Sequence, residues 1–322
     1  PSQDARKGFV GRLNYNYKGK YMAEFSFRYD GSIKFHPDHR WGFFPSVSLG
    51  WRLSEEKFMK SLSNLDNLKL RASYGLLGND AVGGWQWQTS YSFSSQYIFN
   101  QSPIKSIISG GIPNTDLTWE KTATYNVGVD ASIFKGLLSV EADAFYKRTY
   151  DILGSRNASM PGTFGATLPA ENYGVVTVKG FELQLNHDNH IGDFRYHIGG
   201  NVSWARNKVI EKDYAEGVEP WNNPIGKTMG YRTCFVALGL FQTDDEASAW
   251  PRFKGTNPTA GDIKYADLNN DGILDERDQK VVSPYNNTPE IMFGVNLTAS
   301  WKGFDLTALF QGAANRLSLI HI

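Results

Sequence analysis

Between Ile291 and Trp301, apolar side chains take every second position. Ile291, Phe293, Val295, Leu297, Ala299 and Trp301 share one face. Gly294, Asn296, Thr298 and Ser300 share the other, with Met292 the single apolar exception. Such period-2 alternation predicts a β-strand with one dry face and one wet face. Lys302-Gly303 reads as a tight turn, after which Phe304, Leu306, Ala308 and Phe310 alternate with Asp305, Thr307 and Gln311. Each arm is about ten residues long, the length a tilted strand needs to cross the apolar core of a bilayer. Trp301 and Phe304 bracket the turn, where a membrane-spanning barrel carries its aromatic girdle.

The same hairpin recurs along the chain. Phe9, Leu13, Tyr15 and Tyr17 oppose Arg12, Asn14 and Asn16. Lys18-Gly19 turns the chain, and Tyr21, Ala23, Phe25, Phe27 and Tyr29 then oppose Glu24, Ser26 and Arg28. Trp41, Phe43, Val47, Leu49 and Trp51 form a third apolar row, and Leu68, Leu70, Ala72 and Tyr74 a fourth. Ala123 to Ile133 and Leu138 to Tyr146 flank a Lys135-Gly136 turn. Phe181, Leu183 and Leu185 lead to Ile191-Gly192-Asp193, and Phe194, Tyr196, Ile198, Val202 and Trp204 lead away. This pattern predicts ten long antiparallel strands. Residues 77–117 and 151–174 are expected to be long connections with little periodicity, and residues 208–288 the longest connection. Residues 54–67 carry Phe58, Met59, Leu62 and Leu65 at helical spacing behind Ser54-Glu55-Glu56, which predicts a short helix there. Short turns on one side and long loops on the other are the habit of outer-membrane barrels.

Composition changes the picture in a few places. No run of 18 apolar residues exists, so no helix of the chain is expected to span a membrane. Mean hydropathy is −0.41, which would suggest a soluble protein, but a barrel strand faces water with half of its residues. Lys+Arg 33 balances Asp+Glu 33, so no global charge points to nucleic acid. The single Cys234 excludes an internal disulfide. The polar rows hold Arg12, Glu24, Arg28, Arg52, Arg71, Asp130, Glu141, Asp143, Glu182 and Arg195. A packed core would not tolerate so many charges unpaired, whereas a wide, wet lumen suits them. The alternative is the solvated face of an open sheet. Gly8 stands almost inside a strand, so the N-terminus reads as cut.

Phe43-Phe44-Pro45-Ser46-Val47-Ser48-Leu49-Gly50-Trp51-Arg52 and Ser54-Glu55-Glu56-Lys57-Phe58 resemble the SusC/RagA family of TonB-linked outer-membrane transporters. So do Leu68 to Gly75, Gly78-Asn79, Gly261-Asp262-Ile263-Lys264-Tyr265 with Asp267-Leu268-Asn269-Asn270-Asp271-Gly272, and Phe310-Gln311-Gly312. The resemblance covers nearly the whole chain. It implies an all-β fold, with residues 1–322 forming about ten strands of a transmembrane barrel of about 22 strands. It also implies residence in the bacterial outer membrane, contact with its lipid, and a plug upstream of this segment through which TonB acts. A SusD-like surface lipoprotein would cap the mouth, and the substrate would be an oligosaccharide or a peptide. The chain departs from the family in having no plug and no closing strands. Residues 317–322 lack the expected pattern, which leaves their native origin open. A passive porin or adhesin barrel is the first alternative function, and a soluble calcium-stabilised β-sandwich that binds carbohydrate is the second.

Candidate chemistry is sparse. Asp267, Asn269, Asp271, Ile273, Asp275 and Asp278 match positions 1, 3, 5, 7, 9 and 12 of a calcium loop, with Gly272 at the sharp turn. A structural Ca2+ is expected there, although position 12 is Asp rather than Glu and the flanks read as strands. The bland alternative is an Asx-rich turn. Trp85, Trp87 and Tyr91, within a run that continues through Phe93, Tyr97 and Phe99, are candidates to stack on a sugar, as is Trp221. Packing of the loop against itself or a partner is the alternative. Six histidines show no metal-ligand spacing. Glu141 and Asp143 share a face, but no nucleophile or pocket accompanies them, so no enzyme and no organic cofactor are expected.

Overall fold

The computed structural model describes residues 4–99, 101–166 and 168–318. Ten strands form one antiparallel sheet in sequence order. They are β1 (Arg6–Tyr17), β2 (Tyr21–Ser32), β3 (Trp41–Arg52), β4 (Leu65–Asn79) and β5 (Glu120–Ile133). The series continues with β6 (Leu138–Ser155), β7 (Ala170–Ile191), β8 (Phe194–Glu211), β9 (Ile291–Trp301) and β10 (Phe304–Ala314). β1 and β10 are the edges, and the sheet does not close on itself. Their free N–H and C=O groups therefore stand as unpaired ladder positions.

The register carries the alternation across the whole sheet. Tyr17, Tyr21, Trp51, Leu70, Val129, Ala142, Leu183, Val202, Phe293 and Gly312 follow one another as directly opposed pairs. This apolar face is not covered by a second layer. Phe9, Phe25, Tyr125, Leu185, Phe293 and Trp301 are all exposed. A soluble sandwich would bury them, because a soluble monomer rarely shows a contiguous apolar patch beyond a few hundred Å². An apolar solvent is the environment this face requires.

The tight turns form as expected. Lys18-Gly19, Lys135-Gly136 and Lys302-Gly303 all take positive φ at both residues (53° and 70°, 59° and 82°, 46° and 88°). Paired left-handed residues match the twist of the flanking strands, and glycine adopts that region without steric cost.

Three expectations are corrected. Residues 54–67 do not form an α-helix; a 3-10 turn at Leu53–Glu55 is followed by further turns. Phe58 and Leu62 are exposed, so the apolar spacing finds no surface to bury against, and a single helical turn does not offset its nucleation cost. The connection at 77–117 is not irregular throughout: Tyr91–Phe99 pairs with Ser102–Ser109 as a separate two-stranded hairpin. The connection at 151–174 is much shorter than its sequence suggests. β6 and β7 continue pairing through Ser155 and Ala170 across a bulge at Asp151, whose φ is 56°. An inserted residue breaks the period, which hides the continuation from a reading of alternation.

Pairing of β3 with β4 ends at Ser46 and Gly75. Toward the loops, Phe35, Phe44, Leu117 and Trp119 form a small buried cluster, joined by Leu76, Val82, Leu153 and Ala170. Trp119 Nε1 donates to the Arg40 carbonyl at 2.9 Å, and Arg6 Nε to the buried Asp80 carboxylate at 2.8 Å. Asn172 donates to the carbonyls of Thr118 and Asp151 and accepts from Thr118 N–H. The roots of the first two long loops are thereby tied together.

Candidate functional site

Strand alternation and register place the polar residues on a continuous wall. Lys69, Asp130, Glu141, Gln184, Asn201, Gly294 and Gln311 form one directly paired row. Arg71, Gly128, Asp143, Glu182 and Ser203 form the next. Arg71 stands between two carboxylates, donating to Asp130 at 2.9 Å and to Asp143 at 2.8 Å. The small Gly128 leaves room for it, since a Cβ there would meet Asp143 at 2.4 Å and the guanidinium at 3.0 Å. Arg12 pairs with Glu24 at 2.6 Å, and Arg28 with Asp30 at 2.8 Å. These charges are satisfied laterally along the wall and not by a second layer.

Beyond that paired region the wall opens into a groove of about 1050 Å³. Glu141, Glu182, Gln184, Asn201, Asn296 and Gln311 are among its lining side chains. Among the described residues, Glu141 and Glu182 have no cationic partner. The groove offers a file of amide and carboxylate groups to a polar solute or to a covering polypeptide. The sequence reading singled out the charges and passed over the amides, although the same alternation marks them.

The loop candidates separate into two places. Trp85 and Trp87 pack with ring planes tilted by 43° and centroids 5.9 Å apart, and His36 meets the Trp87 ring edge-on at 5.3 Å. Tyr91 begins the loop hairpin and is exposed. Phe93, Ile98, Phe99 and Ile107 on the same hairpin are also exposed. The described part of Tyr97 is its backbone, and residues 319–322, with His321, lie outside the described residues. Trp221 belongs elsewhere, donating to the Arg277 carbonyl at 3.2 Å beside the acidic loop. Trp250 is structural, with its indole N–H on the Tyr265 carbonyl at 2.8 Å and Lys264 Nζ 3.8 Å from its ring centre.

In the acidic loop, Gly272 has φ 80° and its N–H donates to Asp267 Oδ2 at 2.9 Å. Asp271 N–H donates to Asn269, and Ile273 N–H to Asp271. These bonds draw positions 1, 3 and 5 together and leave Asp267 Oδ1 buried without a partner. The remaining donors are engaged. Asp278 is fully buried, and its two oxygens accept from Leu268 N–H at 2.8 Å and Asp275 N–H at 2.9 Å. The Arg277 guanidinium pairs with both Asp271 and Asp275. It holds the Asp275 carboxyl below the usual carboxylate range, chiefly through their hydrogen bonds. An all-oxygen donor set suits Ca2+, but here arginine supplies the positive charge. Among the described residues, no group of three or more His, Cys, Asp or Glu side chains is arranged to hold a metal.

The chain belongs to the TonB dependent receptor-like β-barrel family, whose model matches residues 2–316. It is 31% identical over 318 residues to TonB-dependent receptor P26 of Formosa agariphila, covering 94% of this chain and 31% of that protein. It is 26% identical over 323 residues to TonB-dependent receptor SusC of Bacteroides thetaiotaomicron, covering 95% of this chain and 31% of that protein. The RagAB peptide importer in its closed-closed state has a similar fold, with a TM-score of 0.73 at 24% identity over 98% of this chain and 34% of that one. The chain therefore spans about a third of the length of the proteins it matches.

Proposed function

We propose that the whole protein is a TonB-dependent importer of the bacterial outer membrane that takes up an oligosaccharide or a peptide with a SusD-like lipoprotein at its mouth. In this reading the present chain supplies part of the barrel wall and the mouth loops. The observation that carries it is the protruding loop hairpin, whose Phe93, Ile98, Phe99 and Ile107 are exposed on the side opposite the tight turns. A specific docked partner would cover about a thousand Å² or more. The similarity to SusC and to a solved peptide importer supports the same reading, and the polar groove gives a polar solute a wettable path.

The test removes residues 91–109 from the whole protein. Gly110 N–H donates to the Ser90 carbonyl at 2.7 Å, so the excision joins chain ends that already meet. Loss of lipoprotein co-purification and of uptake, with barrel assembly intact, is the expected result. Unchanged capture of the lipoprotein would exclude the hairpin as docking surface. Uptake persisting without TonB would make the protein a passive porin.

A second reading concerns the 267–278 loop. Calcium binding there is supported by the position-1-to-6 hydrogen bond and the unpartnered Asp267 oxygen, and it requires Arg277 to leave Asp271 and Asp275. Calorimetry on the whole protein should then show tighter calcium uptake in Arg277→Ala and none in Asp271→Ala. Absence of uptake by both the unaltered protein and Arg277→Ala at millimolar calcium would remove the idea.

A further inference from the structure

The apolar face ends, toward the long loops, in a cationic pocket. Along that face Tyr74, Tyr125, Tyr146, Lys179 and Arg206 are successive directly opposed residues on β4 to β8. Tyr74 and Tyr125 lie 5.0 Å apart, and Tyr125 and Tyr146 6.4 Å. A row of tyrosines thus continues into Lys179 and Arg206 along the outside of the sheet. Immediately below it, Ala144, Phe181, Trp204 and Ile291 are opposed in the same way. One step above, Lys208 opposes Thr177.

Lys179 stands twelve positions from Ile191, which ends β7 at its tight turn. At about 3.3 Å per residue and a tilt of about 40°, it lies about 30 Å above that turn. This is the thickness of a bilayer's apolar core. Lys179 and Lys208 therefore meet the opposite headgroup layer, the one beneath the long loops.

The loop at 226–231 completes the pocket. Gly226 N–H donates to the Val209 carbonyl at 2.8 Å and Val209 N–H to the Lys227 carbonyl at 2.9 Å, so this segment extends the sheet beside β8. Thr228 Oγ1 donates to the Pro284 carbonyl at 2.8 Å and fixes the adjoining wall. The resulting cavity of about 790 Å³ is lined by Lys179, Lys208, Lys227, Trp204 and Tyr231, among others, and by no carboxylate. Arg206 is already neutralised by Glu290 at 2.6 Å. Among the described residues Lys179, Lys208 and Lys227 have no carboxylate partner, and the Lys227 ammonium spends a hydrogen bond on the Trp221 carbonyl.

We infer that this outer-face pocket binds the phosphate-bearing headgroup of a membrane lipid. Three unpaired ammonium groups match a phosphate in charge, and Trp204 and Phe181 offer the chain of the same lipid an apolar and aromatic bed. A soluble ligand would not need the apolar strip directly below the cations. The inference rests on the membrane-barrel reading in taking the apolar face to lie in lipid.

The test uses the whole protein in detergent, with native mass spectrometry of bound dioleoyl phosphatidate, dioleoyl phosphatidylcholine or inorganic phosphate. The unaltered protein should retain phosphatidate over phosphatidylcholine. Lys179→Gln/Lys208→Gln/Lys227→Gln should lower that retention at least tenfold, and the corresponding triple arginine variant should keep it. Heat-modifiable gel mobility confirms that each variant has assembled. Equal retention of the two lipids, or unchanged retention by the glutamine variant, overturns the inference. Inorganic phosphate competing as well as phosphatidate also overturns it, in favour of a soluble anion. Insertion into phosphatidylcholine vesicles is scored separately. Failure to insert sinks the barrel reading, whereas insertion without phosphatidate preference sinks this inference alone.

Discussion

Gly78→Ala tests whether the small cluster at the loop end of β3 to β5 is as tightly packed as its geometry implies. A Cβ at Gly78 would lie 2.0 Å from Phe44 Cζ and 2.3 and 2.6 Å from two further ring carbons. Ordinary contact begins at about 3.4 Å, so the ring would have to retreat by more than an ångström. Its escape is blocked on other sides. Trp119 lies edge-on with centroids 5.3 Å apart, and the ring already fills the space beside Gly42, where a Cβ would meet it at 2.4 Å. Forcing a methyl into such a site costs about 1–3 kcal/mol. Restricting the unfolded chain returns about 0.4–1 kcal/mol. Contacts of 2.0–2.6 Å place the site in the upper part of the overpacking range, so the net loss is about 1–2 kcal/mol, a factor of roughly 5–30 in local opening. Hydrogen exchange on the whole protein in detergent should show that acceleration at the amides of residues 76–79 and 119–123, with β8 to β10 unaffected. Phe44→Leu should relieve part of it, giving a coupling in the double mutant of about 0.5 kcal/mol or more. Unchanged exchange in Gly78→Ala, or strict additivity with Phe44→Leu, would refute the reasoning.

Other expectations are as specific. Glu290→Gln leaves Arg206 without its bidentate partner (2.6 and 2.7 Å). Glu290 is nearly buried and Arg206 is partly exposed, so the loss should be about 1–3 kcal/mol, less than for a fully buried pair, read as faster exchange of the Ala205 amide. Glu56 accepts from the Tyr21 hydroxyl at 2.6 Å, the Trp51 indole at 3.2 Å and Lys20 at 3.3 Å, and these bonds, the Tyr21 one foremost, hold its carboxyl below the usual range. A depressed folded pKa stabilises above the unfolded value of about 4.3 and is lost as pH falls through the folded one. Exchange in residues 51–60 should therefore accelerate below about pH 4 in the unaltered protein, and Glu56→Gln should abolish that pH dependence. Gly303→Ala places a Cβ at φ 88° with no neighbour in reach, so backbone strain alone should cost about 1–2 kcal/mol, visible as slower barrel assembly.

Much of this fold could be read from the chain because each strand declares itself locally. Ile291 to Trp301 alternates by the geometry of an extended backbone, and Lys302-Gly303 reverses it by a conformation that glycine favours. Ten such rows with short turns on one side give order, direction and the two faces without any long-range knowledge. Other features needed the tertiary structure. The bulge at Asp151 shifts the period, so β6 and β7 look shorter in sequence than they are. The Tyr91–Phe99 hairpin has a register shift between Ser94 and Tyr97, and adjacent Ile107 and Ile108 on its second arm put apolar residues on both faces, which interrupts the alternation. The calcium spacing was visible, whereas Arg277 reaching back onto Asp271 and Asp275 was not. Arg206 and Glu290 are 84 positions apart, and Lys179, Lys208 and Lys227 come from two strands and a loop. Periodicity is a property of one backbone segment and is written in neighbouring residues. Which charges meet depends on the summed register of many strands and the path of long loops, and that is decided when the sheet assembles.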